Sequence, residues 1–282
     1  MNNRLKWKRA ALLLAAGAAA AGTWAWAVQG ELTIARYEIP LPVGLEGLDG
    51  LKIAHISDVH SADLEGPLRA ALEEAAPDLI VMTGDLVNRE DRDLSRALSL
   101  ARMAAETAPS FFAPGNHEVD SPCWPELRDG LEAAGVQVLE DRAVLRNFRG
   151  EAVNLVGLWD LNHDPLGQAH ARETLPERIR VLCREGALNV LLSHRPGLLE
   201  EYGAGGADVV FCGHAHGGQV RLPLVGPVFA PDEGLFPKHT AGVYRTGETR
   251  MVVSRGLGNG TPYPRLWNGP ELVVVTMKRA GT

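Results

Sequence analysis

The sequence has little cysteine, no excess of positive charge and no long polar tract. Three cysteines among 282 residues, an odd number at wide and irregular spacing, exclude a disulfide framework and the paired spacing of a zinc ribbon. Lys and Arg number 28 against 35 Asp and Glu, so the net charge of −7 does not suit a protein that binds duplex nucleic acid. A hydrophobic share of 45% with 22% charged residues is typical of a folded globular chain.

The first 30 residues differ in composition from the rest of the chain. Four basic residues precede residue 10, and residues 10–28 then contain no charge. A helix over this apolar run would be about 28 Å long, close to the thickness of a bilayer core. Because the basic residues precede the run, we expect residues 1–30 to be a single-pass signal anchor that places residues 31–282, one domain, outside the cytoplasm. The small residues at 25 and 27 also fit a signal-peptidase site, so export after cleavage is the alternative.

Beyond residue 31, short apolar runs alternate with segments of helical periodicity. The runs predict strands at 51–57, 79–83, 110–113, 189–193 and 208–212, and the periodic segments predict helices at 67–76, 94–105, 125–134 and 172–184. Residues 143–158 and 241–277 are richer in strand-forming residues. This alternation predicts a layered α/β fold with a mixed sheet or two facing sheets.

Polar residues follow five of the predicted strands. They are Asp58 and His60, Asp85, Asn116 and His117, His194, and His214 with His216. Ligands bind at the carboxyl ends of strands in open α/β sheets, so these side chains are expected to share one edge. Carboxylate, imidazole and amide groups without a thiolate suit Mn²⁺, Fe, Zn²⁺ or Ni²⁺. Even seven of these eight side chains are too many for one ion, whereas a carboxylate shared by two ions would hold them about 3.5–4 Å apart, as in phosphoryl displacement.

The order of these motifs resembles the calcineurin-like metallophosphoesterase superfamily. The motifs are Asp58-x-His60, Gly84-Asp85, Gly115-Asn116-His117-Glu118, His194 after an apolar strand, and Gly213-His214-x-His216. The resemblance extends from residue 51 to about residue 277 and implies two facing mixed β-sheets flanked by helices. Gly217-Gly218-Gln219 and residues 254–258 (SRGLG) are similar to the bacterial membrane-associated or exported branch, which includes cell-envelope phosphoesterases and UDP-diacylglucosamine diphosphatases.

The resemblance implies a role for each residue of the set. One metal ion would be bound by Asp58, His60 and His216, the other by Asn116, His194 and His214, and Asp85 would bridge them. His117 would bind the phosphate and protonate the leaving oxygen, Glu118 or another acid would orient His117, and a metal-bridging hydroxide would be the nucleophile. The two divalent ions would be Mn²⁺, Fe²⁺ or Zn²⁺. Arg195 and Arg255 are candidate donors to the substrate phosphate.

These features predict a two-metal phosphohydrolase that cleaves a phosphoester or pyrophosphate bond of a cell-envelope or nucleotide-linked lipid. A phosphodiesterase or phosphatase for soluble nucleotides or wall polymers is one alternative, and a metal-binding scaffold without turnover is another. The expected partners are a phosphorylated small molecule or lipid and, through the N-terminal segment, a membrane; no obligate protein partner is evident. Residues 222–237, rich in proline and glycine, are expected either to pack in the core or to form a lid or acyl-chain site.

Overall fold

The structure is a computed structural model that describes residues 3–28, 31–222, 224–230, 234–261 and 264–279. The first helix, α1 (Asn3–Val28), has exposed side chains over residues 6–24, and the side chains around the possible cleavage site at 25–27 lie outside the described part. Among the described residues, no helix has the length and apolar character needed to cross a membrane.

Two six-stranded mixed sheets form the body of the protein. The first has the order β1 (Thr33–Pro40), β15 (Glu271–Lys278), β2 (Lys52–Ile56), β3 (Leu79–Thr83), β4 (Ser110–Ala113) and β5 (Gln137–Val138). The second has the order β13 (Gly242–Thr246), β14 (Thr249–Val253), β9 (Val209–Cys212), β8 (Leu188–Leu192), β7 (Glu151–Gly157) and β6 (Arg142–Phe148). Strands β2 to β5 are parallel to one another, as are β14, β9, β8 and β7. Their carboxyl ends therefore share one edge in each sheet.

Apolar residues fill the space between the sheets and cover both outer faces. The central cluster joins Ile53, Val81 and Phe111 of the first sheet to Val190 and Phe211 of the second. Helices α2 (Glu65–Ala75), α3 (Ser95–Thr107) and α5 (Trp124–Ala133) pack on the first sheet, and α6 (Gln168–Leu182) and α7 (Leu199–Gly205) pack on the second. The short helix α4 (Asn116–Asp120) follows β4. The predicted architecture of two facing mixed sheets flanked by helices is confirmed.

A third, smaller sheet extends from the body after β9. It consists of β10 (Val220–Leu222), β11 (Gly226–Ala230) and β12 (Gly234–Leu235), all antiparallel. Residue 223 and residues 231–233 of this stretch lie outside the described residues. Most of the large apolar side chains here are exposed, so the expectation of core packing is wrong for them.

Candidate metal centre

The polar residues predicted to share an edge come together at the carboxyl ends of both sheets. Three contiguous groups form, with the ligand atoms in each within 4.8 Å of one another: Asp58, His60 and His216; His60, Asp85 and His117; and Asp85, His194 and His214. The loops after β2, β3 and β4 supply one half of the set and those after β8 and β9 the other. Asp85 belongs to the second and third groups and His60 to the first and second, so Asp85 lies near predicted ligands of both ions.

The backbone is left-handed at most of these positions. Five of the seven predicted ligands have positive φ angles between 46° and 66°: Asp58, His60, Asp85, His214 and His216. A residue with a Cβ atom held in this region costs about 1–3 kcal/mol, and such residues cluster at functional sites. The strain therefore marks the same residues as the side-chain chemistry does.

Glycines let the ligand loops approach one another. Gly84, with φ +83°, turns the chain into Asp85, and a Cβ atom there would overlap the backbone nitrogen of Gly115. Gly213 has no positive φ, but a Cβ atom there would overlap the side chains of Ser57 and Asp58. Gly84 is therefore required both for the turn and for the close approach of two ligand loops, and Gly213 for close approach alone.

Two ligand histidines are fixed so that one ring nitrogen faces the centre. The Nδ1 atom of His194 lies 2.7 Å from the carbonyl oxygen of Thr83, and that of His60 lies 3.0 Å from Asn88 Oδ1. Since a carbonyl or amide oxygen only accepts, Nδ1 carries the proton in both rings and the neutral rings direct an Nε2 lone pair inward. The Nε2 atoms of His194 and His60 are 3.2 and 3.8 Å from Asp85 Oδ2. These orienting contacts are typical of metal-binding histidines.

His117 has the opposite arrangement. Its Nδ1 accepts a hydrogen bond of 3.1 Å from the backbone N–H of Arg89, which places the proton of the neutral ring on Nε2. That nitrogen is 4.0 Å from Asp85 Oδ2. Burial lowers the pKa of His117, so the neutral ring is favoured. His117 therefore presents an N–H donor to a centre at which His60 and His194 present lone pairs.

Of the acids expected to orient His117, Glu118 binds backbone groups instead. Its buried carboxylate accepts hydrogen bonds from the backbone N–H groups of Asp85, Leu86 and Gly115, at 2.7 to 2.9 Å. Burial raises the pKa of Glu118 to about 7. The role of Glu118 is to join the loops that carry Asp85 and Asn116.

The electrostatics of the pocket favour bound cations. Burial opposes a charge on His194, but the Asp85 carboxylate raises the pKa of His194 to about 10. Without a cation, His194 therefore holds a second proton at Nε2, and a bound cation would replace that proton and leave the neutral ring described above. Asn116 Oδ1 is buried and has no hydrogen-bond partner among the described residues. The ring nitrogens of His60 and His216 face each other at 3.2 Å. A divalent cation satisfies all three features, so the donor set fits the metal ions that the sequence predicts.

A family model of calcineurin-like phosphoesterases matches residues 51–218, more than half of the chain. The chain belongs to the calcineurin-like phosphoesterase family. It is accordingly a metal-dependent phosphoester hydrolase.

Relatives of this phosphoesterase align with most of its length. YkuE of Bacillus subtilis, an uncharacterized metallophosphoesterase, is 30% identical over 82% of this chain and 80% of its own. Phosphodiesterase YaeI of Escherichia coli is 32% identical over 66% of this chain and 65% of its own. UDP-2,3-diacylglucosamine pyrophosphatase LpxG of Chlamydia muridarum is 25% identical over 90% of this chain and 92% of its own.

Both candidate substrate-binding arginines of the phosphoesterase lie next to ligand loops and are held by carboxylates. Arg195 Nε and Nη2 donate to Asp160 at 2.7 and 3.1 Å, and the Asp160 side chain is buried. Arg255 Nε is 3.4 Å from Glu271 Oε2, and the same carboxylate accepts the Arg255 backbone N–H. These contacts fix the position of each side chain beside the centre.

A third arginine, which the sequence did not single out, organises the loop that covers Asp58. The buried Arg265 donates to the carbonyl oxygens of residues 255, 256, 258, 268 and 269. Gly256 packs against the Asp58 side chain, and the backbone N–H of Gly258 donates to Asp58 O. Burial lowers the pKa of Arg265 to about 10, a value at which the guanidinium remains charged at neutral pH. Arg265 therefore holds one wall of the metal centre.

Proposed function

We propose that this phosphoesterase is a two-metal phosphohydrolase. Asp58, His60 and His216 hold one divalent cation, Asn116, His194 and His214 hold the other, and Asp85 bridges them; the ions are Mn²⁺, Fe²⁺ or Zn²⁺. The observation that carries this assignment is the contrast between the histidines: two are oriented by acceptors and direct a lone pair inward, whereas His117 is oriented by a donor and directs a proton inward.

The roles of the side chains follow from this contrast. When bound, two divalent cations supply Lewis acidity toward phosphoryl oxygens and make water nucleophilic at neutral pH. Neutral His117 donates its Nε2–H as a hydrogen bond to a phosphoryl oxygen, while the Arg89 N–H keeps the ring in place. To act as the acid, the ring takes up a second proton at Nδ1 and releases the Arg89 N–H; this imidazolium then gives its Nε2 proton to the leaving oxygen and returns to the neutral ring. Arg195 and Arg255, positioned by Asp160 and Glu271, donate to the remaining phosphoryl oxygens.

The proposed substrate is a phosphoester or pyrophosphate of a cell-envelope or nucleotide-linked lipid. The name of the LpxG relative, which aligns over nearly the whole of both chains, supports a pyrophosphate bond in a glycolipid precursor. We propose residues 1–30 as a membrane tether that holds the catalytic domain, residues 31–282, outside the cytoplasm. The basic start and the exposed apolar side chains of α1 support the tether, whereas α1 lacks the apolar character of a spanning helix.

The second candidate is a phosphodiesterase for soluble nucleotides or wall polymers. The relative named phosphodiesterase YaeI, which aligns with 66% of this chain, favours it. The metal centre serves both candidates equally, since it engages only phosphoryl oxygens.

A chromogenic phosphodiester assayed with Mn²⁺ tests the reaction, with the metal content measured on the same samples. We expect His117→Ala to lower kcat by about 10²–10⁴-fold while two ions per chain remain bound. His170→Ala is the matched control, because His170 is an exposed histidine bonded to Asp164. Unchanged kcat in His117→Ala would contradict the acid role, and a metal-loaded wild type without turnover would favour a scaffold. A panel with UDP-linked lipids and soluble diesters then separates the two substrate classes.

A further inference from the structure

The small sheet presents an apolar surface to solvent. We use this term for Leu222, Leu224, Val225, Phe229, Leu235 and Phe236. The exposed fractions are 108% for Leu224, 71% for Leu235, 65% for Phe236 and 60% for Val225. Phe229 lies opposite Leu235 in the β11–β12 pair, and the backbone of Phe236 bonds to that of Val228. Large exposed apolar patches on soluble proteins mark sites that another molecule covers.

The apolar surface adjoins the metal centre. Strand β10 begins four residues after the ligand His216. A Cβ atom on Gly218 would lie only 2.5 Å from Pro227 Cβ, so β11 packs directly against the turn that follows His216. The small sheet therefore lies directly beside the loop that carries the ligands His214 and His216.

A bilayer surface is the occupant that agrees with the rest of the chain. Helix α1 is a second segment with exposed apolar residues, Leu12 to Leu14 among them, and it begins with Lys6, Lys8 and Arg9. Next to the apolar surface, the exposed Lys238 follows Phe236 by two residues. This arrangement lets the ammonium group of Lys238 reach lipid phosphates while the Phe236 ring enters the interface. The acidic residues of this stretch, Asp232 and Glu233, lie outside the described residues.

We propose that the apolar surface docks on the lipid headgroup interface, as a membrane contact separate from α1. With both contacts made, the metal centre opens beside the headgroups and takes phosphoesters presented at the bilayer surface. This proposal rests on the membrane placement proposed above, and its main test does not require hydrolysis.

The test uses the full chain in vesicles of phosphatidylcholine and phosphatidylglycerol, with an environment-sensitive fluorophore on a single cysteine. Cys123 and Cys183 are replaced by serine, and the buried Cys212 is retained. Phe236→Cys and Leu166→Cys are labelled in parallel, since both side chains are highly exposed. We expect a blue-shifted emission and quenching by lipid-borne nitroxides at 236, at least about threefold stronger than at 166, because a docked side chain leaves water.

A second readout compares a vesicle-borne phosphoester with a soluble one. We expect Leu235→Asp/Phe236→Asp to lower turnover of the vesicle-borne substrate by about tenfold or more, because the variant lacks two apolar side chains that enter the lipid interface on docking. Turnover of the soluble diester should stay unchanged, which also shows that the variant is folded. Val181→Asp is the control, because this residue is equally exposed but lies on α6.

Four other outcomes overturn the docking, and a fifth bears only on the hydrolysis. Equal, water-like emission of the labels at 236 and 166 excludes docking on lipid. A blue-shifted label at 236 that lipid-borne nitroxides do not quench also excludes it, because such a label is covered by protein. A chain that stays in solution with vesicles overturns the anchor and the docking together. If Leu235→Asp/Phe236→Asp has a higher KM than the wild type for a soluble acylated substrate, and the label at 236 is unquenched, the apolar surface binds the acyl chain of the substrate instead. Absence of turnover with normal quenching overturns the proposed hydrolase and leaves the docking intact.

Discussion

The position of one proton separates the histidines at the metal centre. His60 and His194 donate from Nδ1 to oxygen acceptors, whereas His117 accepts at Nδ1 from a backbone N–H. The motif predicts which histidines are present, but the partners that set their protonation are Asn88, the Thr83 carbonyl and the Arg89 N–H. Two of these are backbone groups that no side-chain pattern reveals. The sequence gives only a weak indication of the role of Asn88, which is a polar residue directly after the apolar Leu86 and Val87 in the Asp85 loop.

Removal of the Asn88 amide should weaken metal binding at His60. In Asn88→Ala the His60 ring loses its Nδ1 partner and with it the preference for an inward lone pair, so we expect the Kd for Mn²⁺ to rise by about 10–100-fold. Isothermal titration of the metal-free protein measures this change. Asn147→Ala, at an exposed position near the end of β6, should leave the Kd unaltered. Equal affinity in wild type and Asn88→Ala would show that the amide does not orient the ligand.

Arg265 depends on the shape of its guanidinium as well as on its charge. Five carbonyl contacts need donors in a planar fork, which lysine does not have. We expect Arg265→Lys to lower the free energy of unfolding by about 3 kcal/mol, because carbonyl groups that are now bonded lose their donors in a buried place. Urea denaturation followed by circular dichroism measures the loss. Arg250→Lys, on an arginine that also donates to three carbonyls but near the surface, should change stability by less than about 1 kcal/mol.

At the scale of elements, burial decided which strands and helices could be predicted. All five residues of β3 are buried, so the strand is a continuous apolar run and the predicted bounds, 79–83, match those observed. Strand β1 lies at a sheet edge, only one of its eight side chains is fully buried, and its mixed composition forms no continuous apolar run. Helix α7 contains two glycines in seven residues and was not predicted. The β-rich stretch at 222–237 consists of strands too short to have a periodicity of their own.

Two glycines in different elements should respond to alanine with opposite signs. Gly84, in the β3 ligand turn, combines a positive φ with contact to the Gly115 backbone, so we expect Gly84→Ala to lower the free energy of unfolding by about 2 kcal/mol or more. Gly66 lies in α2 with open space around it, and Gly66→Ala should raise stability by up to about 1 kcal/mol. Thermal and urea unfolding of both variants give the two signs. An unchanged free energy of unfolding in Gly84→Ala would mean that the ligand loops can move apart without loss of stability.

At the scale of the whole molecule, the proposed metal ions join the two sheets. The first sheet contributes Asp58, His60, Asp85 and Asn116, and the second contributes His194, His214 and His216. Without cations, buried carboxylates are left close together, and burial raises the pKa of Asp58 to about 6. Sequence order could predict the convergence because parallel strands end at one edge, but it could not predict which residue of each loop faces the other sheet.

Removal of the metal should therefore lower the melting temperature. At a metal concentration 100 times the Kd, binding to the folded state alone contributes about 2.7 kcal/mol. For a chain of this size we expect EDTA to lower the Tm by about 5–10 °C, and added Mn²⁺ to restore it. Differential scanning calorimetry with and without chelator measures the shift. In Asp85→Asn the shift should shrink by at least about half, because the bridging carboxylate is lost; an EDTA-insensitive wild type would show that the centre holds no ion.

Because the two sheets share the metal ligands, catalysis depends on the position of one sheet relative to the other. A slip of one sheet over the other by the width of an atom leaves every strand hydrogen bond intact, yet it spoils the coordination of both ions at once. Mutations deep in the inter-sheet core, at Phe111 or Phe211 for example, will thus impair turnover before they reduce helix and strand content.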